Sequence, residues 1–166
     1  MFKKETIPFS NTGVLNSLVT DYLSRSEKLS NFYGHFPDEE GFKEVLKSNP
    51  YSDFDRSILV KQLLLQAASV ENTTELSLTN IQKLGQTNTF TVTTGHQLCL
   101  FTGPLYFIYK LISTINLAQK LKHTFPQHDF VPVYWLASED HDFEEVNHFY
   151  SAEKKIEWKS SQTGAV

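Results

Sequence analysis

Apolar positions along the first third of the chain recur at helical spacing. Leu15, Leu18, Val19, Tyr22 and Leu23 fall three and four residues apart and predict an amphipathic helix. Pro37 and the acidic run Asp38, Glu39 and Glu40 precede Phe42, Val45 and Leu46, which predicts a short helix with its acids in the first turn, where the helix dipole favours them; Asn49-Pro50 ends it. Ile58, Leu59, Gln62, Leu63 and Gln66 mark a third helix. Leu78, Ile81 and Leu84 mark a fourth, closed by Gly85.

The texture changes at residue 89. "TFTVTT" is β-branched and aromatic and follows the turn-like "GQTN", so it reads as a strand. Thr102, Gly103 and Pro104 then form a helix start, with Pro104 expected at the first helical position, where its missing N–H costs nothing. The helix is expected to run to about Lys122. Leu105, Ile108, Tyr109, Ile112 and Ile115 make one face and Phe107, Leu111, Ala118 and Leu121 widen it, a girth of apolar surface that predicts a mostly buried helix. "FVPVYWLA" follows as a near-continuous apolar run, the pattern of a parallel strand covered on both faces, with Pro132 placing its first residues at an end or edge. Strand, helix and strand predict a right-handed crossover and an α/β fold class. The expected division is a helical N-terminal region over 1–86 that packs on an α/β core beginning near residue 89, within 87–166.

Composition narrows the function without naming it. With 166 residues, 40% of them hydrophobic and 13% aromatic, the chain can build a sizeable core. A net charge of −4 supplies no basic field for a phosphate backbone, so nucleic acid is not an expected partner. Lys110, Ser113, Thr114 and Asn116 interrupt the most apolar window, short of the roughly 18 apolar residues a spanning helix needs, so no membrane is expected either. The single cysteine, Cys99, has no intramolecular disulfide partner, and "MFKKETIPFSNTG" lacks a signal-peptide pattern; a cytoplasmic location is the expectation. Cys99 itself reads as a small buried hydrophobe rather than a nucleophile.

Candidate chemistry lies where the strands end, because ligands of open α/β sheets bind at the carboxyl ends of the strands. In "TTGHQLCLFTGPLY", Gly95 is expected to turn the chain off the strand, and Thr94, His96 and Gln97 offer donors and acceptors. The amides entering the helix at Thr102, Gly103 and Pro104, with Tyr106 close by, could receive a phosphate or carboxylate. The alternative is that both glycines serve turns and His96 only packs. After the second strand, "SEDHDFEEVNHF" crowds Glu139, Asp140, His141, Asp142, Glu144, Glu145 and His148 together. On a helix, His141, Glu144 or Glu145, and His148 would share a face able to hold a divalent metal, although the spacing is not H-E-x-x-H. A solvated acidic turn with capping carboxylates is the competing reading, and magnesium carried by a nucleotide is a third.

Taken together, "TTGHQ", "LFTGPLYFIYKLISTINLAQKL", "FVPVYWLASEDHDFEEVNH" and "KKIEWKSSQTGAV" resemble the bacillithiol biosynthesis cysteine-adding enzyme family, as do "DYL" and "FYGHFP" upstream. The resemblance implies a Rossmann-like parallel-sheet core related to class I cysteinyl synthetases, interrupted by connecting segments and followed by a coiled coil. It also implies an amide synthesis joining L-cysteine to the amine of glucosaminyl malate, with ATP and magnesium expected to activate the carboxylate, and a homodimeric complete protein. Family members are much longer, so the chain reads as an N-terminal portion, inactive alone. On that reading His96, Asp140 and His141 are the candidate catalytic residues. Thr94, Gly95, Gln97, Thr102, Gly103, Pro104, Tyr106, Glu139 and Asp142 are the candidate substrate- or nucleotide-binding ones. Two other classes stay open: a metal-dependent hydrolase using His141, Glu145 and His148, and a non-catalytic small-molecule-binding module.

Overall fold

The computed structural model describes residues 5–48, 55–139 and 143–161. The chain divides into two compact units, 1–51 and 52–166. In this division the third and fourth helices group with the strands. The first unit holds α1 (Ser17–Leu23) and α2 (Glu39–Ser48), joined through a 3-10 turn at Glu27–Phe32. Asn16 caps α1 by accepting from the Val19 amide at 3.0 Å. The Asp38 carboxylate receives the Gly41 amide at 2.9 Å at the start of α2, and that bond, with Arg25 at 2.6 Å, holds its pKa below the usual carboxylate value. Tyr33 meets Tyr22 and Phe36 edge to face and Tyr22 lies tilted against Phe36 around this corner, and the Arg25 guanidinium lies 4.2 Å from the Phe36 ring centroid.

The second unit contains α3 (Ser57–Ala68), α4 (Glu75–Lys83), β1 (Thr89–Gln97), α5 (Leu105–Thr124), β2 (Asp129–Ala137), α6 (Phe143–Val146), β3 (His148–Ser151) and β4 (Lys154–Glu157). The predicted strand–helix–strand order is present. β1 and β2 pair in parallel with register from Thr89 opposite Asp129 to Gln97 opposite Ala137, and α5 packs across both. The core sits at the amino ends of the two strands: Thr89, Val131, Leu84, Ala118, Leu121 and Phe125 are its buried members. Because α5 runs back against the strands, its last turns reach this end.

Several charged groups lock the same end. The Arg56 guanidinium, at the start of α3, donates to the Gln86 carbonyl at 2.8 Å and the Thr89 carbonyl at 2.7 Å, which ties α3 to the root of β1. Lys122 donates to the Pro126 and His128 carbonyls, both at 2.9 Å, and meets Asp129 at 3.2 Å; Lys83 of α4 reaches the same carboxylate at 3.6 Å. Asn88 and Asp129 join the strand roots by a backbone bond of 3.0 Å.

Two expectations about burial are corrected. The sheet-facing stripe of α5 is Phe107, Leu111, Thr114, Ala118 and Leu121, whereas Leu105, Tyr109, Ile112 and Ile115 are exposed. A helix apolar over most of its girth can lay only one side on a two-stranded surface. Likewise Tyr134, Trp135 and Leu136 of β2 are exposed, and only Val131 is fully buried. Among the described strands β2 pairs with β1 alone, which accommodates Pro132. None of the described helices is long and apolar enough to cross a membrane.

Candidate active site at the carboxyl ends of the strands

Parallel pairing ends β1 and β2 side by side, so the loop after Gln97 and the segment after Ala137 leave the sheet together. Gly95 does not turn the chain, contrary to expectation: it lies within β1, opposite Trp135. A Cβ there would come within 3.0 Å of the Trp135 carbonyl oxygen and 3.2 Å of its Cβ, so the glycine permits a close approach of the two strands. Thr94 precedes it, half-buried opposite Tyr134.

His96 is held on three sides. Its Nδ1 lies 2.9 Å from the Gln97 carbonyl oxygen, which can only accept, so Nδ1 carries the proton and Nε2 is left to face the Tyr106 hydroxyl at 2.6 Å. The imidazole packs edge-on against Phe107 at 5.5 Å, and Phe107 in turn against Tyr134 at 5.6 Å. The Tyr134 hydroxyl donates to the His96 carbonyl at 3.3 Å; partial desolvation of the phenol, then the neighbouring Cys99, pushes its pKa above the ordinary value, so it remains a donor. Lys110, one turn further along α5 than Tyr106, donates to the Gly95 carbonyl.

The connection from β1 to α5 is a 3-10 turn, Leu100–Thr102, containing Phe101 in the left-handed region at φ 49°, ψ 46°. Gly103 follows at φ 65°, ψ −162°, a region open essentially to glycine alone. A Cβ on it would fall 2.7 Å from Cys99 Sγ. Cys99 therefore packs against the bare face of Gly103, in keeping with its reading as a small hydrophobe. Pro104 is one position earlier than expected: it is the N-cap, in extended backbone at ψ 155°, and Leu105 opens the helix. The Phe107 amide bonds to the Pro104 carbonyl at 2.9 Å. The Leu105 and Tyr106 amides precede the first helical acceptor and have no carbonyl four residues back within the helix.

On the second loop, Glu139 accepts from the Trp135 indole N–H at 3.3 Å. Asp140, His141 and Asp142 lie outside the described residues. The metal-binding helix face is not formed as expected: α6 ends at Val146, and His148 opens β3, where its Nδ1 bonds to the Asn147 Oδ1 at 3.0 Å. Among the described residues no three His, Cys, Asp or Glu side chains converge on a possible ion position. The β3–β4 hairpin was not anticipated in the sequence. It reaches the first loop through Phe149, whose ring meets Phe101 edge to face at 5.0 Å. The pairing of His96 with Tyr106 was also missed as a unit, although an aromatic hydroxyl in the first turn after a strand-end histidine is the signal that could have suggested it.

Comparison with known proteins bears on this end of the sheet. The family described as bacillithiol biosynthesis BshC, N-terminal Rossmann-like domain, matches residues 2–166. A protein of Flavobacterium psychrophilum named "Putative cysteine ligase BshC" is 46% identical over 165 residues, covering 98% of this chain and 31% of that protein. Proteins of the same name are 47% identical in Christiangramia forsetii, over 96% of this chain and 30% of the relative, and 36% identical in Bacillus cereus, over 83% and 25%. The chain thus spans about a quarter to a third of the length of these curated relatives. The parallel strand pair bridged by α5, the loops gathered at its carboxyl end and a family match running from residue 2 to residue 166 agree: the chain belongs to the BshC family of bacillithiol biosynthesis, as its N-terminal Rossmann-like domain.

Proposed function

We propose that the complete protein is a carbon–nitrogen ligase that joins the carboxylate of L-cysteine to the amine of glucosaminyl malate. The observation that carries this reading is the family match across residues 2–166, together with relatives named as cysteine ligases. A carboxylate does not react with an amine until its oxygen is made a leaving group, so an acyl phosphate or acyl adenylate formed from ATP is the required intermediate class. Such a site needs donors for phosphate oxygens and a group to take the proton from the attacking amine. The described residues fit the first need through the Leu105 and Tyr106 amides at the α5 entry, with the Lys110 cation one turn on. Gly103 contributes the turn that exposes those amides rather than a bare surface for the phosphate, since Cys99 occupies that surface. Asp140 and Asp142 are proposed to position magnesium carried by the nucleotide, and His141 to contact a substrate amine.

The test supplies the complete protein with ATP, magnesium, L-cysteine and glucosaminyl malate under reducing conditions and seeks bacillithiol by mass spectrometry. Product is expected, and residues 1–166 alone are expected to make none. His96→Ala and Asp140→Ala should each reduce cysteine addition by about 100-fold while leaving the protein folded. A folded, full-length wild type that forms no product overturns the reading. We propose further that the complete protein is a homodimer, which sedimentation of that protein tests directly.

A further inference from the structure

The two nitrogens of His96 are both engaged within the chain, one by the Gln97 carbonyl and the other by the Tyr106 hydroxyl, and the ring meets Phe107 in an edge-on contact. An incoming substrate therefore meets Tyr106 before it meets His96. Tyr106 is 55% exposed, sits in the first turn of α5 beside the two amides that open the helix, and points its hydroxyl back onto the imidazole.

We infer that Tyr106 is the acid–base group that contacts the attacking amine and that His96 is the proton acceptor behind it, a relay resting on the ligase reading above. The step balances without any further reactant. As the amine nitrogen bonds to the activated carbonyl carbon and the phosphate-bearing oxygen departs with its electron pair, one N–H proton passes to the Tyr106 oxygen. The Tyr106 hydroxyl proton passes to His96 Nε2, giving an imidazolium whose Nδ1–H still donates to the Gln97 carbonyl. Three features of the fold favour transfer in this direction. The Gln97 carbonyl fixes the tautomer with a bare Nε2, because it can accept and not donate. The 2.6 Å Tyr106–Nε2 separation is within direct proton-transfer reach. Lys110 and Tyr134, the other ionisable groups closest to this segment from α5 and β2, are directed onto the Gly95 and His96 carbonyls and do not compete for Nε2.

The experiment has a kinetic and a spectroscopic arm, both on the complete protein. Tyr106→Phe should lower kcat for cysteine addition about 100-fold while KM for ATP and cysteine stays within about 2-fold, as for a group used in the transition state rather than in binding. His96→Gln should lose a similar factor, and the double variant should be no worse than either single one, since residues acting as a unit are not additive. Nitrogen-15 NMR of the wild-type imidazole should show the Nδ1–H tautomer, and Tyr106→Phe should move the Nε2 resonance while the control Tyr109→Phe, which keeps Tyr106, leaves it in place. Wild-type turnover retained by Tyr106→Phe, a raised KM with unchanged kcat, or an Nε2–H tautomer in the wild type would each overturn the relay while the ligase reading stands. An inactive folded wild type would sink the ligase reading and the relay together.

Discussion

The two ends of the β1–β2 pair are built on different principles. At the amino end, fully buried Thr89 and Val131 meet Ala118, Leu121 and Phe125. Cations close that end over backbone carbonyls: Arg56 onto Gln86 and Thr89, and Lys122 onto Pro126 and His128. At the carboxyl end the side chains are half-buried or exposed, Phe101 and Gly103 take positive φ, and the polar groups of His96 and Tyr106 pair with one another near solvent. Buried packing is concentrated at one end, and positive-φ backbone with polar groups near solvent at the other. This is the distribution expected when a rigid base carries a reactive rim, because loops able to receive a ligand cannot also be sealed into a core.

The contrast breaks most directly at Arg56. Arg56→Ala removes the charge-assisted bonds to Gln86 and Thr89, with the longer one to Leu84, and strands the carbonyl of a fully buried strand residue, so it should destabilise the second unit by about 3 kcal/mol in urea unfolding. A loss near zero would mean that the amino end is not the anchor. Gly103→Ala tests the rim, where strain and the encounter with Cys99 Sγ should together cost about 2 kcal/mol. In a Cys99→Ala background part of that cost should vanish, because the sulfur half of the conflict is gone. Identical losses in both backgrounds would assign the effect to φ alone. Gly103→Val is for the same reasons a poor probe of ligand binding.

Asp129 sharpens the comparison through pH. The Lys122 hydrogen bond is the largest influence on its carboxyl; burial opposes it, and the charges of Lys122 and Lys83 add to it, so the pKa lies below the ordinary value. A depressed folded-state pKa means that the stabilisation is present above the unfolded value of about 3.9 and is lost as pH falls through the folded one. Asp129→Asn should therefore cost about 1 kcal/mol at pH 7, with the two denaturation curves converging in acid. A constant gap down to low pH would exclude the ionised carboxylate as the cause. The smallest effect is expected at the open side of α5: Leu105, 69% exposed, should tolerate replacement by serine in this chain within about 0.5 kcal/mol. A loss above about 1.5 kcal/mol by differential scanning calorimetry would show that the rim bears as much of the fold as the base does.

Much of this organisation was legible. β1, α5 and β2 fall within a few residues of their expected bounds because period-two β-branched residues, a glycine–proline helix entry and a long apolar run are each local signals. The site at the strand ends follows from their order. The β3–β4 hairpin was not legible: its two-residue turn is Ala152-Glu153, with φ 46° and 66°, and neither residue announces the left-handed backbone that Asn or Gly would. The helical reading of the acidic segment failed at His148 for a related reason, since the pairing of His148 with Glu157 and the docking of Phe149 on Phe101 are contacts at a distance in sequence.

What the sequence by itself determined is the alternation of elements, the parallel crossover they imply and the family, all encoded in patterns a few residues to a few turns long. Tertiary structure alone decided which side of an all-round apolar helix meets the sheet, that Gly95 serves strand approach rather than a turn, and that Gly103 makes room for Cys99. It also brought the Tyr106 hydroxyl onto His96. Spacing specifies which side chains share a face of one element, but which face is covered, and by what, depends on where other elements come to rest.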